Sequence, residues 1–163
     1  MNPPPDWALA LTARFEHIAD TRMRGVPVLN PRLQVAAIGF APQIDAAAPA
    51  PPGTLGILLT PWFMNLIWRS TTDDPPLAPG ASRGRRLGEQ TLDFIGVDDE
   101  LLGPYESCSL FSPVLEFADQ ASALATAEEV LRLLREPPAP SPPSRPVLNR
   151  RALLFGRLAG AGE

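Results

Sequence analysis

The sequence predicts an α+β domain: an antiparallel sheet of about four to five strands with an N-terminal and a C-terminal helix packed on one face. Three observations lead there. Apolar residues recur at helical spacing near the start of the chain and again from about residue 120. Between them lies a series of short apolar segments separated by Pro- and Gly-bearing breaks, which favours consecutive antiparallel strands. The 21 prolines cluster, so the packed part is smaller than the 163-residue chain. The expected organisation is a domain over residues 7–136 followed by a Pro-rich linker and basic-apolar tail over 137–163.

Asp6 suits the cap of a helix starting at Trp7, whose apolar row is Trp7, Leu11, Phe15 and Ile18, with Met23 extending it and Gly25 ending it. His17 lies beside that row, either as surface filler or as a contact residue. Pro27 and Pro31 make residues 26–31 extended and turn-prone. A strand is expected over Leu33–Ala41. The densest apolar stretch is Leu55–Arg69, with two of the three tryptophans. Pro61 divides it into strands Leu55–Thr60 and Met64–Arg69, because proline cannot donate to a ladder. The Pro61-Trp62-Phe63 corner then carries adjacent aromatic rings, either both in the core or as a binding edge, since neighbouring strand residues point to opposite faces.

Ser70–Arg83 is expected as a loop, and Arg83-Gly84-Arg85-Arg86 as a solvated basic cluster. Arg86–Gln90 and Thr91–Val97 suggest one long strand or a bulged pair, and Asp98-Asp99-Glu100 an acidic turn. In the strand Tyr105–Phe111, period-2 alternation puts Tyr105, Ser107, Ser109 and Phe111 on one face and Glu106, Cys108 and Leu110 on the other. Asp119 caps the second helix. Leu124, Ala127, Leu131 and Leu134 form its buried row, and Glu128, Glu129, Arg132 and Arg135 face water. Six prolines within Pro137–Pro146 dictate a stiff extended linker.

Composition excludes several functions. A net charge of −4 argues against nucleic acid as a partner. No apolar run reaches the ~20 residues of a membrane-spanning helix, and Met1–Asp6 lacks the pattern of a signal peptide, so a cytoplasmic protein without membrane insertion is expected. A single cysteine rules out an internal disulfide and fits a reducing compartment. No phosphate loop or zinc-ligand spacing is present, and no cofactor or metal is expected. One histidine and one cysteine form at best a weak nucleophile pair, and capping explains Asp119 without a catalytic partnership with Glu116, so the chain reads as a non-enzyme. Cys108 is either a small apolar filler or a thiol contact for a partner's metal site or a transient metal.

Five stretches carry a resemblance: His17–Pro31, Val35–Phe40, Gly56–Leu66, Tyr105–Pro113 and Glu116–Gln120. Taken together and in order, they make the chain similar to the HybE/HupJ family of [NiFe]-hydrogenase assembly chaperones, with the Thr60–Leu66 and Cys108–Pro113 blocks the most specific. The resemblance implies an accessory role in maturing an uptake hydrogenase before twin-arginine export. The implied client is the iron–sulfur small-subunit precursor, with the large subunit and a rubredoxin-like protein as further partners; a small-ligand or rubredoxin-partner binding module in the same pathway is the alternative. The expected contact residues are Pro61, Trp62, Phe63, Met64 and Asn65 with Phe111, Ser112, Pro113 and Glu116, and the acidic residues Asp98, Asp99, Glu100 and Glu116 are expected to attract an arginine-bearing client. Asn149-Arg150-Arg151-Ala152-Leu153-Leu154 is similar to a twin-arginine motif. It reads either as a competitor for the domain's own peptide site or as a short amphipathic tail helix.

Overall fold

A computed structural model describes residues 6–43 and 52–136; the expectations for the linker and for the Arg150-Arg151 tail lie outside them. Helix α1 (Asp6–Asp20) opens the fold and helix α2 (Gln120–Arg135) closes it. Six strands run between them: β1 (Ala36–Gln43), β2 (Gly53–Leu59), β3 (Met64–Ser70), β4 (Ser82–Leu87), β5 (Gln90–Asp99) and β6 (Gly103–Phe111). They form one antiparallel sheet in the order β1-β2-β3-β6-β5-β4. The α+β class holds, with more strands than expected. The additional strand comes from Arg86–Val97, which is neither one long strand nor a bulged pair. Leu87 pairs with Gln90 across Gly88-Glu89, and Gly88 has φ +60°, which a tight reversal accommodates at little cost only in glycine.

Alternation along the strands decides where the helices go. Leu55, Ile57 and Leu59 of β2 join Met64, Leu66 and Trp68 of β3 in a core with Ala123, Ala127, Val130, Leu131 and Leu134 of α2. Leu58 and Ile67 point the other way and pack with Leu11, Trp7 and Phe15 of α1. The helices therefore cover opposite faces of the sheet, not one face as the sequence suggested. The sheet curls around α2. A Cβ on Gly39 in β1 would meet Leu131 at 2.6 Å, and one on Gly88 in the β4–β5 turn would meet the Leu134 carbonyl oxygen at 3.1 Å.

Two bulges break the period. In β1 the register shifts between Ile38 and Ala41 around Gly39, whose φ is +62°. Ile38 thus faces α2, while Phe40 turns to the α1 side and lies over Gly56. In β6 the shift leaves Leu110 unpaired between Ser109 and Phe111. Phe111 consequently joins Cys108 and Leu110 on the α2 side instead of sharing a face with Tyr105.

Helix α1 ends at Asp20, earlier than its apolar row suggests, and the chain turns through residues 21–25 to Gly25. Strand β1 starts at Ala36, not Leu33, because the Gln120 side chain pairs with the Gln34 backbone: the Gln34 N–H donates to Oε1 at 2.9 Å and Nε2 donates to the Gln34 carbonyl at 3.3 Å. Asp119 and Ser122 form a reciprocal capping box at the start of α2. Arg135 does not face water alone. Its Nη2 donates to the carbonyls of Gly39 (2.8 Å) and Leu55 (2.9 Å), and burial lowers its pKa from the ordinary value.

A corner of aromatic rings at one end of the sheet

The β2–β3 connection is shaped by Thr60. Its buried hydroxyl accepts the backbone N–H groups of Trp62 (3.2 Å) and Phe63 (3.0 Å), and its own N–H donates to the Phe63 carbonyl at 2.8 Å. This local network turns the chain sharply around Pro61 and projects Trp62 and Phe63 from the end of the sheet. Both are half-buried. They pack edge to face, 5.7 Å between centroids, and both meet Phe15 from the last turns of α1, at 6.3 Å for Trp62 and 5.7 Å for Phe63. The trio is neither wholly core nor a free edge. Each ring buries one side against its neighbours and keeps part of its surface in solvent.

Residues 112–117 border the same corner, since Phe111 pairs with Met64. Ser112, Pro113 and Glu116 are exposed, and Leu115 is 55% exposed. Three expected contact residues are corrected here. Met64 is fully buried in the core beneath α2. Phe111 is buried against Phe117, centroids 5.1 Å apart, because the bulge at Leu110 turns it inward. Cys108 is 1% exposed inside the same core, so its thiol has no surface to offer a partner. Asn65 lies on the α1 side of β3, where Nδ2 donates to Ser107 Oγ at 3.0 Å while Oδ1 is buried without a hydrogen-bond partner among the described residues. Signals the sequence reading passed over are Phe15, assigned only to the helix stripe, and Asn30, read only as part of a turn.

The acidic turn does not flank the corner. Asp99 pairs with Gly103 at the opposite end of β6 from Phe111, and its carboxylate is engaged by Arg14 Nε at 3.0 Å and by the N–H groups of Leu101 and Leu102. Burial alone raises the Asp99 pKa; the Leu101 N–H, Arg14 and the Leu102 N–H outweigh it and hold the carboxyl below the ordinary range. Asp98 and Glu100 are exposed there, and Glu116 alone of the expected acidic contacts stands beside the aromatic end. On that far side Arg85 and Glu106 form a bidentate pair, with the guanidinium 4.2 Å over the Trp68 ring. A cavity of about 200 Å³ opens nearby between Trp68, Glu106 and the Thr72–Leu77 loop.

The catalytic pairing weighed from sequence does not assemble. His17 is exposed on α1, while Cys108 is buried on the other side of the sheet. Among the described residues no group of three or more His, Cys, Asp or Glu side chains is placed to hold a metal ion, and no helix is long and apolar enough to cross a membrane.

The family model described as "[NiFe]-hydrogenase assembly, chaperone, HybE" matches residues 6–156. The chain belongs to this family. It is 50% identical over 162 residues to Protein HoxT of Cupriavidus necator, spanning 94% of this chain and 90% of that protein. It is 33% identical over 124 residues to a protein of Rhodobacter capsulatus named "Probable rubredoxin HupJ", spanning 75% of this chain and 42% of that protein. The solution structure of HybE from Escherichia coli superposes with a TM-score of 0.62 at 26% identity, covering 93% of this chain and 90% of that one. The HybE fold is thus shared, and the aromatic corner sits within the matched region.

Proposed function

We propose that this chain captures the immature small subunit of a [NiFe] uptake hydrogenase in the cytoplasm before twin-arginine export, and that it does so by reversible apolar contact without bond chemistry. The observation carrying this reading is the half-buried Phe15–Trp62–Phe63 trio beside the exposed Pro113, Leu115 and Glu116, in a member of the assembly-chaperone family. Rigid aromatic rings offer contact area at low entropic cost, and partial solvation lets a client segment come and go. Glu116 adds a negative charge at the rim for a basic client residue. Ser112 and Asn65 complete the polar border, and Pro61 stands at the turn that Thr60 holds.

The test is capture of purified small-subunit precursor by the full chain and by Trp62→Ala, Phe63→Ala and the double variant, each shown to be folded. The double variant is expected to lose most of its affinity. Undiminished capture by folded double variant rejects the corner as the grip. Capture of the large-subunit precursor in preference to the small one reassigns the client.

A second reading concerns rubredoxin. One relative carries that name and is more than twice as long as its stretch shared with this chain. A rubredoxin-like protein is therefore proposed as a separate companion, detected by co-purification from hydrogenase-producing cells. The working division of the chain is a client-binding domain over residues 7–136 and a tail over 137–163 that competes through Arg150-Arg151. Truncation after Glu136 is expected to tighten precursor capture, and unchanged affinity removes the competition.

A further inference from the structure

Val26–Pro31 is too rich in proline to enter the sheet, yet one residue in it is among the few buried polar groups of the domain. Asn30 is 4% exposed. Its backbone N–H donates to the Pro61 carbonyl at 2.7 Å, and its carbonyl accepts from Leu33 at 3.1 Å. Its side-chain Nδ2 donates to the carbonyls of Val114 (3.0 Å) and Phe117 (2.9 Å), while Oδ1 accepts the Arg32 N–H at 3.1 Å. Both amide protons and the amide oxygen are therefore used. The residue joins two segments far apart in sequence, the Pro61–Phe63 corner and the 112–117 loop. Few side chains meet this demand. Aspartate has no donor, serine is too short to reach both carbonyls, and glutamine is a methylene too long for a filled site.

We infer that Asn30 is a positioning residue which fastens the aromatic corner and the Leu115 loop into one continuous recognition surface. This inference rests on the corner being the client grip. The reasoning is geometric: the corner's own shape is set by Thr60 and survives without Asn30, but the amide is the hydrogen-bonded link from residues 26–31 to the backbone of the 114–117 segment. Releasing that loop separates Leu115 and Glu116 from Trp62 without dismantling the trio with Phe15. A client segment then meets two small surfaces in place of one.

The experiment measures the affinity of purified small-subunit precursor for the full chain at a temperature well below unfolding. Asn30→Asp sets a carboxylate oxygen against the carbonyls of Val114 and Phe117 while keeping size and the Arg32 contact. It is expected to weaken binding about tenfold, equivalent to roughly 1.4 kcal/mol. Leu115→Ala is expected to weaken binding in the Asn30 background and to have no further effect in the Asn30→Asp background. A purely structural contribution would lower the melting temperature and leave the Leu115→Ala effect the same in both backgrounds, which overturns the inference. So does wild-type affinity in folded Asn30→Asp. If the aspartate variant does not fold, Asn30→Ser takes its place in the same pair of measurements, and failure of both to fold makes Asn30 a folding residue and overturns the assignment. Trp62→Ala separates the two levels. Should it leave affinity intact, the grip itself is wrong; should it weaken binding while Asn30→Asp does not, only the positioning role falls.

Discussion

Replacing Glu106 with leucine should remove more stability than any surface charge in this domain. The carboxylate accepts Arg85 Nε at 2.9 Å and Nη2 at 2.6 Å, and the two side chains are 10% and 8% exposed. Leucine leaves the guanidinium buried, with both of these hydrogen bonds gone. Removing one member of such a pair costs about 3–5 kcal/mol, against about 0–1 kcal/mol for an exposed pair. For a domain of this size that corresponds to a fall of roughly 10–20 °C in melting temperature. The pair itself is not the source of the loss. Arg85→Met with Glu106→Leu fills the same space without charge and should recover most of the deficit, short of about 0.5–2 kcal/mol for the lost stacking of Arg85 on Trp68. Urea denaturation of the four proteins closes the cycle. A loss below about 1 kcal/mol in Glu106→Leu, or a double variant no more stable than that single one, would refute the reasoning.

Tyr105 is pushed up to about 12, by burial first and then by the Asp99 charge, with Arg14 acting in the opposite sense. The raised value favours the neutral phenol, so its contribution to stability is whole below pH 10 and disappears as the pH rises from 10 to about 12. As the chain has a single tyrosine, ultraviolet titration of the tyrosinate reads this directly. Asp99 has the opposite sign. Its lowered pKa contributes stability above its ordinary 3.8, which is lost as the pH falls through the folded value, so Asp99→Asn should flatten the acid limb of a stability–pH profile. Gly39→Ala should cost about 2–4 kcal/mol by urea denaturation, combining a φ of +62° with a Cβ that meets Leu131 at 2.6 Å.

The parts of the fold legible in the sequence were those fixed by local periodicity. The rows through Leu11 and Ala127, the strands on either side of Pro61 and the cap at Asp119 each follow from short-range spacing. What escaped depends on contacts between distant segments. Period-2 alternation cannot foresee the extra residue at Leu110, so it put Phe111 on the wrong face. One glycine in Leu87-Gly88-Glu89-Gln90 is a weak hairpin signal, and the β4–β5 turn was passed over. Element order is silent about which side of a sheet a helix takes. Arg135 looked solvent-facing by charge, yet two carbonyls of β1 and β2 draw it in. At the candidate site, Trp62 and Phe63 stand out as adjacent rings at a proline, while Asn30 does not, because the two carbonyls its side-chain amide donates to lie more than 80 positions away.

Helix α2 is synthesised last among the described elements, and it is also the piece about which the sheet is wrapped. Until Gln120–Arg135 has left the ribosome, the concave lining of Leu55, Leu66, Phe94 and their neighbours has nothing to close upon. The apolar face that α2 covers therefore closes only once the last described helix has been made. A chain stopped short of the final helix would leave that apolar lining open to solvent.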